Sequence, residues 1–169
     1  MDAAVAEPTT DRAGERRRRP VIVAVDDEPA VLAAVARDLR RGFGERFQVL
    51  RASSGPEALE ALADARTRGL QVALLVADQR MPGMSGTEYL VKTREIAPEA
   101  KRVLLTAYAD TEAAISAIND VALDYYLLKP WDPPDEQLYP VVEDLLTTWE
   151  AGGYHLYGDP WREQRYWGD

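Results

Sequence analysis

The chain has 169 residues, 46% of them apolar, no cysteine, and a formal charge of −9 from 20 Lys and Arg against 29 Asp and Glu. That length suits one domain of ordinary size around a single core. The missing cysteines exclude a disulfide framework, a thiolate metal site and a cysteine nucleophile, in keeping with a reducing, cytoplasmic setting.

Residues 1–20 hold five Arg and four acids, ending in the run Arg16 to Arg19. The run reads either as a patch for nucleic acid or anionic lipid or as a solvated, disordered arm, since this composition buries too little apolar surface to order itself. No apolar segment of the export-signal kind accompanies it. The remaining residues carry about −10, from 15 basic against 25 acidic residues, which argues against direct nucleic-acid binding by the body.

From Val21 onward, short apolar or β-branched runs alternate with helix-length segments. The first run, VIVAV, is followed by EPAVLAAVARDLRRGFG, where Val31, Leu32, Val35 and Leu39 share a helical face and Gly42 and Gly44 supply a stop signal. FQVLRA then leads into SSGPEALEALADARTRG, with serines and Gly-Pro at its start and Gly69 as terminator. VALLVA precedes SGTEYLVKTREIAP, which closes at Pro98, and RVLLT precedes ADTEAAISAIND, where Asp110 is suited to the N-cap. DYYLL leads into PPDEQLYPVVEDLLTTW, whose prolines suit a first helical turn while Pro140 should shorten or bend it. Apolar runs such as Val72 to Ala77 are strand-sized, far below the roughly 20 residues of a membrane span, so no membrane is expected as a partner.

Strands that are apolar throughout, rather than alternating, are those covered on both faces. Five βα units in succession therefore predict a doubly wound α/β domain with a parallel sheet over residues 21–149. In such folds ligands bind beyond the carboxyl ends of the strands. Those ends bring Asp26, Asp27 and Glu28 after the first strand, Asp78 after the third, Thr106 after the fourth and Lys129 with Pro130 after the fifth. Each has an ordinary explanation alone: an N-cap, a turn opened before Met81-Pro82-Gly83, a capping hydroxyl, a solvated loop lysine. Together, carboxylates from different strands require a compensating cation. An all-oxygen set suits Mg²⁺, and an adjacent ammonium suits a phosphoryl oxygen.

The stretches VAVDDEPAV, VADQRMPGMSG, LLTAYAD and YYLLKPW at these spacings make Val21 to Trp149 resemble the receiver domain of two-component response regulators, the CheY-like superfamily. The resemblance implies a flavodoxin-like sheet of order 2-1-3-4-5, a phosphoacceptor at Asp78, and Mg²⁺ held by Asp26, Asp27, Asp78 and the backbone carbonyl of Arg80. It implies that Thr106 and Lys129 bind phosphoryl oxygens and that Tyr126 is an aromatic switch. A histidine kinase or phosphotransfer protein is the implied donor. The face formed by the fourth helix, fifth strand and fifth helix is the implied output surface toward a protein or domain outside this chain. A second copy of the chain, through that face or the tail, is a further candidate partner.

Trp131 stands where many receivers have Phe, and the proline-rich start of the last helix resembles receivers joined to catalytic output modules more than those joined to DNA-binding domains. Arg80 and Tyr108, two residues after Asp78 and Thr106, flank the path of a hydrolytic water, so slow loss of the phosphoryl group is expected. Two alternatives stay in view: a degenerate receiver working as a scaffold, and a phosphatase that passes through an aspartyl phosphate. Against the phosphatase, Arg80 occupies the position of its second acid; against the scaffold, every acid, the hydroxyl and the lysine are present.

Residues 150–169 hold Tyr154, Tyr157, Trp161, Tyr166 and Trp167 among few aliphatics. This aromatic-rich tail reads either as a cover for an apolar patch of its own domain or as a docking segment. His155 is the lone histidine and has no companion ligands nearby, so neither a metal nor a second relay step is expected there.

Overall fold

The computed structural model describes residues 13–14, 18–107, 112 and 123–153. The strands are β1 (Val21–Val25), β2 (Gln48–Ala52), β3 (Val72–Asp78), β4 (Lys101–Thr106) and β5 (Tyr125–Leu128). They form one sheet in the order β2-β1-β3-β4-β5, every pairing parallel. This is the flavodoxin-like order expected from the sequence. Helices α1 (Pro29–Phe43), α2 (Gly55–Thr67) and α3 (Gly86–Ile96) follow the first three strands. Two segments, α4 (Pro134–Gln137) and α5 (Tyr139–Gly153), follow β5.

Alternate residues of one strand point to opposite faces, so β1 feeds two cores. Val21, Val23 and Val25 pack with Leu62 of α2 and Tyr89 and Leu90 of α3. Ile22 and Ala24 pack with Leu32, Val35 and Leu39 of α1 and Val142, Leu146 and Trp149 of α5. β1 and β3 are buried throughout. β5 is not: Tyr125 and Leu128 are exposed on this strand, which stands last in the sheet order.

Capping follows the sequence signals. Ser54 accepts from the Glu57 N–H at the start of α2, and Ser85 and Glu88 form a reciprocal capping box on α3. Gly69 ends α2 at φ 76°, a conformation that favours glycine. Pro140 divides the last helix, since a proline inside it would lack the N–H that continues the ladder, and α5 restarts at Tyr139. Of the two glycines read as a stop signal, Gly44 is the C-cap of α1 and Gly42 lies within its last turn. A Cβ there would meet the Tyr139 ring at 2.8 Å, so the missing side chain makes room for an aromatic from α5. Tyr108, Asp110 and all of the predicted helix over residues 109–120 except Glu112 lie outside the described residues, as do the tail aromatics and His155.

Candidate functional site

The carboxyl ends of β1, β3, β4 and β5 lie side by side in the sheet, which is how the sequence-predicted site residues meet. Asp26 follows β1 directly and is fully buried. One of its oxygens, Oδ1, accepts the Glu28 N–H at 2.9 Å, closing the turn into α1. The other, Oδ2, accepts from Lys129 Nζ at 3.1 Å. Asp27 beside it is half-buried. Asp78 is the last residue of β3 and is 4% exposed.

Asp26, Asp27 and Asp78 each offer a carboxylate oxygen, and these oxygens lie within 4.8 Å of one another. Lys129 Nζ is 2.6 Å from Asp78 Oδ1, so a single ammonium bridges the acids of two strands. Three carboxylates at this range repel one another, and one ammonium is shared by two of them. The direction of two titrations reflects this. Burial pushes the Asp78 carboxyl above its ordinary value; the Lys129 hydrogen bond opposes it, and the Asp26 and Asp27 charges reinforce it. For Lys129, burial pulls downward, but the hydrogen bonds it donates to Asp78 and Asp26, with their charges, outweigh it and the net shift is upward.

Thr106 ends β4, fully buried, and its hydroxyl donates to the Ala107 carbonyl at 3.1 Å. Its own carbonyl accepts the Lys129 N–H at 2.9 Å, which sets the lysine-bearing turn against β4. Tyr126 on β5, in register with Leu104 of β4, is half-buried and packs on the core below the site. It lines an open groove with Leu123, Leu128, Pro130 and Gln137. Arg80 is exposed, two residues beyond β3.

The turn after Asp78 is held by residues that periodicity alone did not single out. Gln79 accepts the Thr87 N–H through its side chain at 3.0 Å and the Gly86 N–H through its carbonyl at 3.0 Å. A Cβ on Gly86 would collide with the Asp78 carbonyl oxygen, so glycine lets α3 begin directly against the acid. Gly83 turns the chain at φ 80°. The donor set, three carboxylates at close range with no nitrogen or sulfur ligand, fits a hard divalent cation of the Mg²⁺ kind.

A doubly wound parallel α/β domain with an acid cluster and a lysine at its switch-point edge is the architecture of a small signalling domain of the flavodoxin-like class. Residues 22–139 match the response regulator receiver domain family, and the chain belongs to that family. It is 37% identical over 142 residues to the hydrogenase transcriptional regulatory protein HoxA of Cupriavidus necator, covering 84% of this chain and 26% of that protein. The chain thus spans about a quarter of that relative. Among solved structures, it is similar to the signal receiver domain of an HD domain-containing protein from Pseudomonas fluorescens, with 27% identity and a TM-score of 0.67, covering 79% of this chain and 99% of that one. The Thermotoga maritima response regulator TrrA, solved in complex with Mg(2+)-BeF, has 29% identity and a TM-score of 0.58, covering 75% and 98%. No described helix is long and apolar enough to cross a membrane.

Proposed function

We propose that this chain is a phosphorylation-controlled switch in which Asp78 accepts a phosphoryl group from a phosphohistidine on a histidine kinase or phosphotransfer protein. The observation that carries the reading is the carboxylate cluster of Asp26, Asp27 and Asp78 with Lys129 Nζ at 2.6 Å from the acceptor. Asp26, Asp27, Asp78 and the Arg80 carbonyl are the ligands for Mg²⁺. When bound, the ion neutralises negative charge that builds on the phosphoryl oxygens.

The chain's own residues supply position and charge. A carboxylate oxygen of Asp78 forms the new O–P bond as the P–N bond to the donor histidine breaks. The bonding pair returns to the imidazole nitrogen, which then takes a proton. Lys129 shifts its ammonium from the carboxylates to a phosphoryl oxygen. The product carries roughly −1.5 to −2 charge and strong acceptor oxygens. These draw the Thr106 hydroxyl away from Ala107, and the space it leaves lets Tyr126 turn further inward. The face around β5, α5 and the preceding segment is then repacked toward a partner or output module.

Residues 21–149 form this receiver, with residues 1–20 as an arm and 150–169 as a docking or covering tail. The curated relative is a transcriptional regulator and one structural relative is the receiver of an HD domain-containing protein. The Trp131 and proline signature favours the second kind of output, a catalytic module. The test of the central reading is incubation with acetyl phosphate and Mg²⁺. The wild type should gain one phosphoryl group and Asp78→Asn none; equal gain by both, or no gain by the wild type, contradicts it. With Arg80 beside Asp78, the phosphoryl group should persist for minutes after donor removal, and a half-life of seconds in excess Mg²⁺ contradicts that part.

A further inference from the structure

The aspartate Asp38 is buried in the middle of α1, 2% exposed, far along the helix from the carboxylate cluster. Its Oδ2 accepts the indole N–H of Trp131 at 2.8 Å in a buried hydrogen bond. Its Oδ1 accepts from Arg37 Nε at 3.3 Å, and its backbone carbonyl accepts the Tyr139 hydroxyl at 2.7 Å. Tyr139 in turn packs edge-on against Phe43 and occupies the space left by Gly42. A carboxylate is costly to bury without partners. Here one carboxylate oxygen is met by Arg37 of the same helix and the other by Trp131, from the segment that follows Lys129.

Only Pro130 separates Lys129 from Trp131, and its ring fixes its own φ. The lysine-bearing turn is therefore pinned at two points. On one side the Lys129 N–H donates to the Thr106 carbonyl at 2.9 Å; on the other the Trp131 indole donates to Asp38. Asp38 rides on the helix that begins three residues after Asp26. One rigid helix thus carries both the buried acid pair's turn and the acceptor that anchors the lysine turn. A phenylalanine at 131 would fill part of the same space and have no N–H to donate.

We infer that Asp38 and Trp131 are positioning residues that hold the Lys129 ammonium on Asp78 and Asp26, setting the balance between lysine and metal at the acid cluster. This rests on the proposed phosphoryl transfer and names two residues that act on it through Lys129. Loosening the anchor should have two effects of opposite sign. The ammonium, less firmly held, competes less for the carboxylates, so Mg²⁺ binds more tightly. The same ammonium is less well placed on the phosphoryl oxygens, so transfer is slower.

The experiment compares wild type, Trp131→Phe, Asp38→Ala and Asp38→Asn by Mg²⁺ titration calorimetry, by the initial rate of phosphorylation from acetyl phosphate, and by the indole N–H resonances of the metal-free proteins. Trp131→Phe and Asp38→Ala should bind Mg²⁺ about threefold more tightly and phosphorylate about tenfold more slowly. Combining them should do no more than either alone. Asp38→Asn keeps an acceptor oxygen and should restore both quantities, with the Trp131 indole proton still shifted by its hydrogen bond. Unchanged rates and affinities in both disrupting variants, or a parallel weakening of both quantities, would overturn the inference. If Asp38→Ala does not fold, Trp131→Phe and Asp38→Asn decide it. A wild type that takes no phosphoryl group would refute the proposed function, while the Mg²⁺ arm would still decide whether the anchor governs Lys129.

Discussion

The two ends of the sheet treat buried charge in opposite ways. At the amino edge, Arg102 is 4% exposed and donates to the Ala97 and Ala100 carbonyls at 2.9 and 2.7 Å and to the Thr93 hydroxyl at 3.2 Å. Glu99 beside it accepts from Arg66 at 3.1 Å and from the Val72 N–H at 3.3 Å, and the Arg102 N–H is taken by Asp124 at 2.7 Å. Each of these buried groups meets a partner of complementary kind. At the carboxyl edge, Asp26, Asp27 and Asp78 crowd together, and the Lys129 ammonium is shared between Asp26 and Asp78. One edge spends its charges on holding loops in place. The other keeps a crowded acidic cluster, which is what a site that must capture a cation and a phosphoryl group needs.

The contrast breaks most visibly at Arg102. Arg102→Met keeps the apolar stem but strips two buried carbonyls of their donor, and should cost about 2–4 kcal/mol in urea unfolding. A loss below about 0.5 kcal/mol would show that the amino edge is not the tightly satisfied network described. The effect at the carboxyl edge should have the opposite sign. Without divalent cation, Asp78→Asn removes a crowded negative charge and should stabilise the protein by about 1 kcal/mol. Added Mg²⁺ should raise the melting temperature of the wild type and leave that of the variant nearly unchanged.

A smaller effect follows from pH. Burial holds the Asp78 carboxyl above its ordinary value of 3.8. The stability of its protonated form is therefore complete below that ordinary value and is lost as pH rises through the folded-state value. In metal-free buffer, the advantage of Asp78→Asn over wild type should open as pH rises through that range and close as it falls. An advantage independent of pH would mean that ionisation of Asp78 is not its source.

What was legible in the sequence has a common physical origin. Continuous apolar runs and capping signals reflect local rules, and they located the strands, the sheet class and the serine-led start of α2. The acids, Thr106 and Lys129 were legible because the parallel topology brings all strand ends to one edge. Features that depend on a distant part of the chain were not. Gly42 looked like a helix terminator, yet its purpose is set by the ring of Tyr139, nearly a hundred residues away. Nothing in the periodicity of α1 singles out Asp38, whose buried partner Trp131 lies more than ninety residues further along the chain. Tyr125 and Leu128 belong to an apolar run, but both are exposed on the strand that stands last in the sheet order.

The most direct measurement is chemical mapping of the acceptor. After incubation with acetyl phosphate and Mg²⁺, borohydride reduction converts an aspartyl phosphate to homoserine, which peptide mass spectrometry can place. The account predicts homoserine at position 78 alone, dependent on Mg²⁺ and absent from Asp78→Asn. Homoserine at Asp26 or Asp27, or none at all from folded wild-type protein, would contradict it.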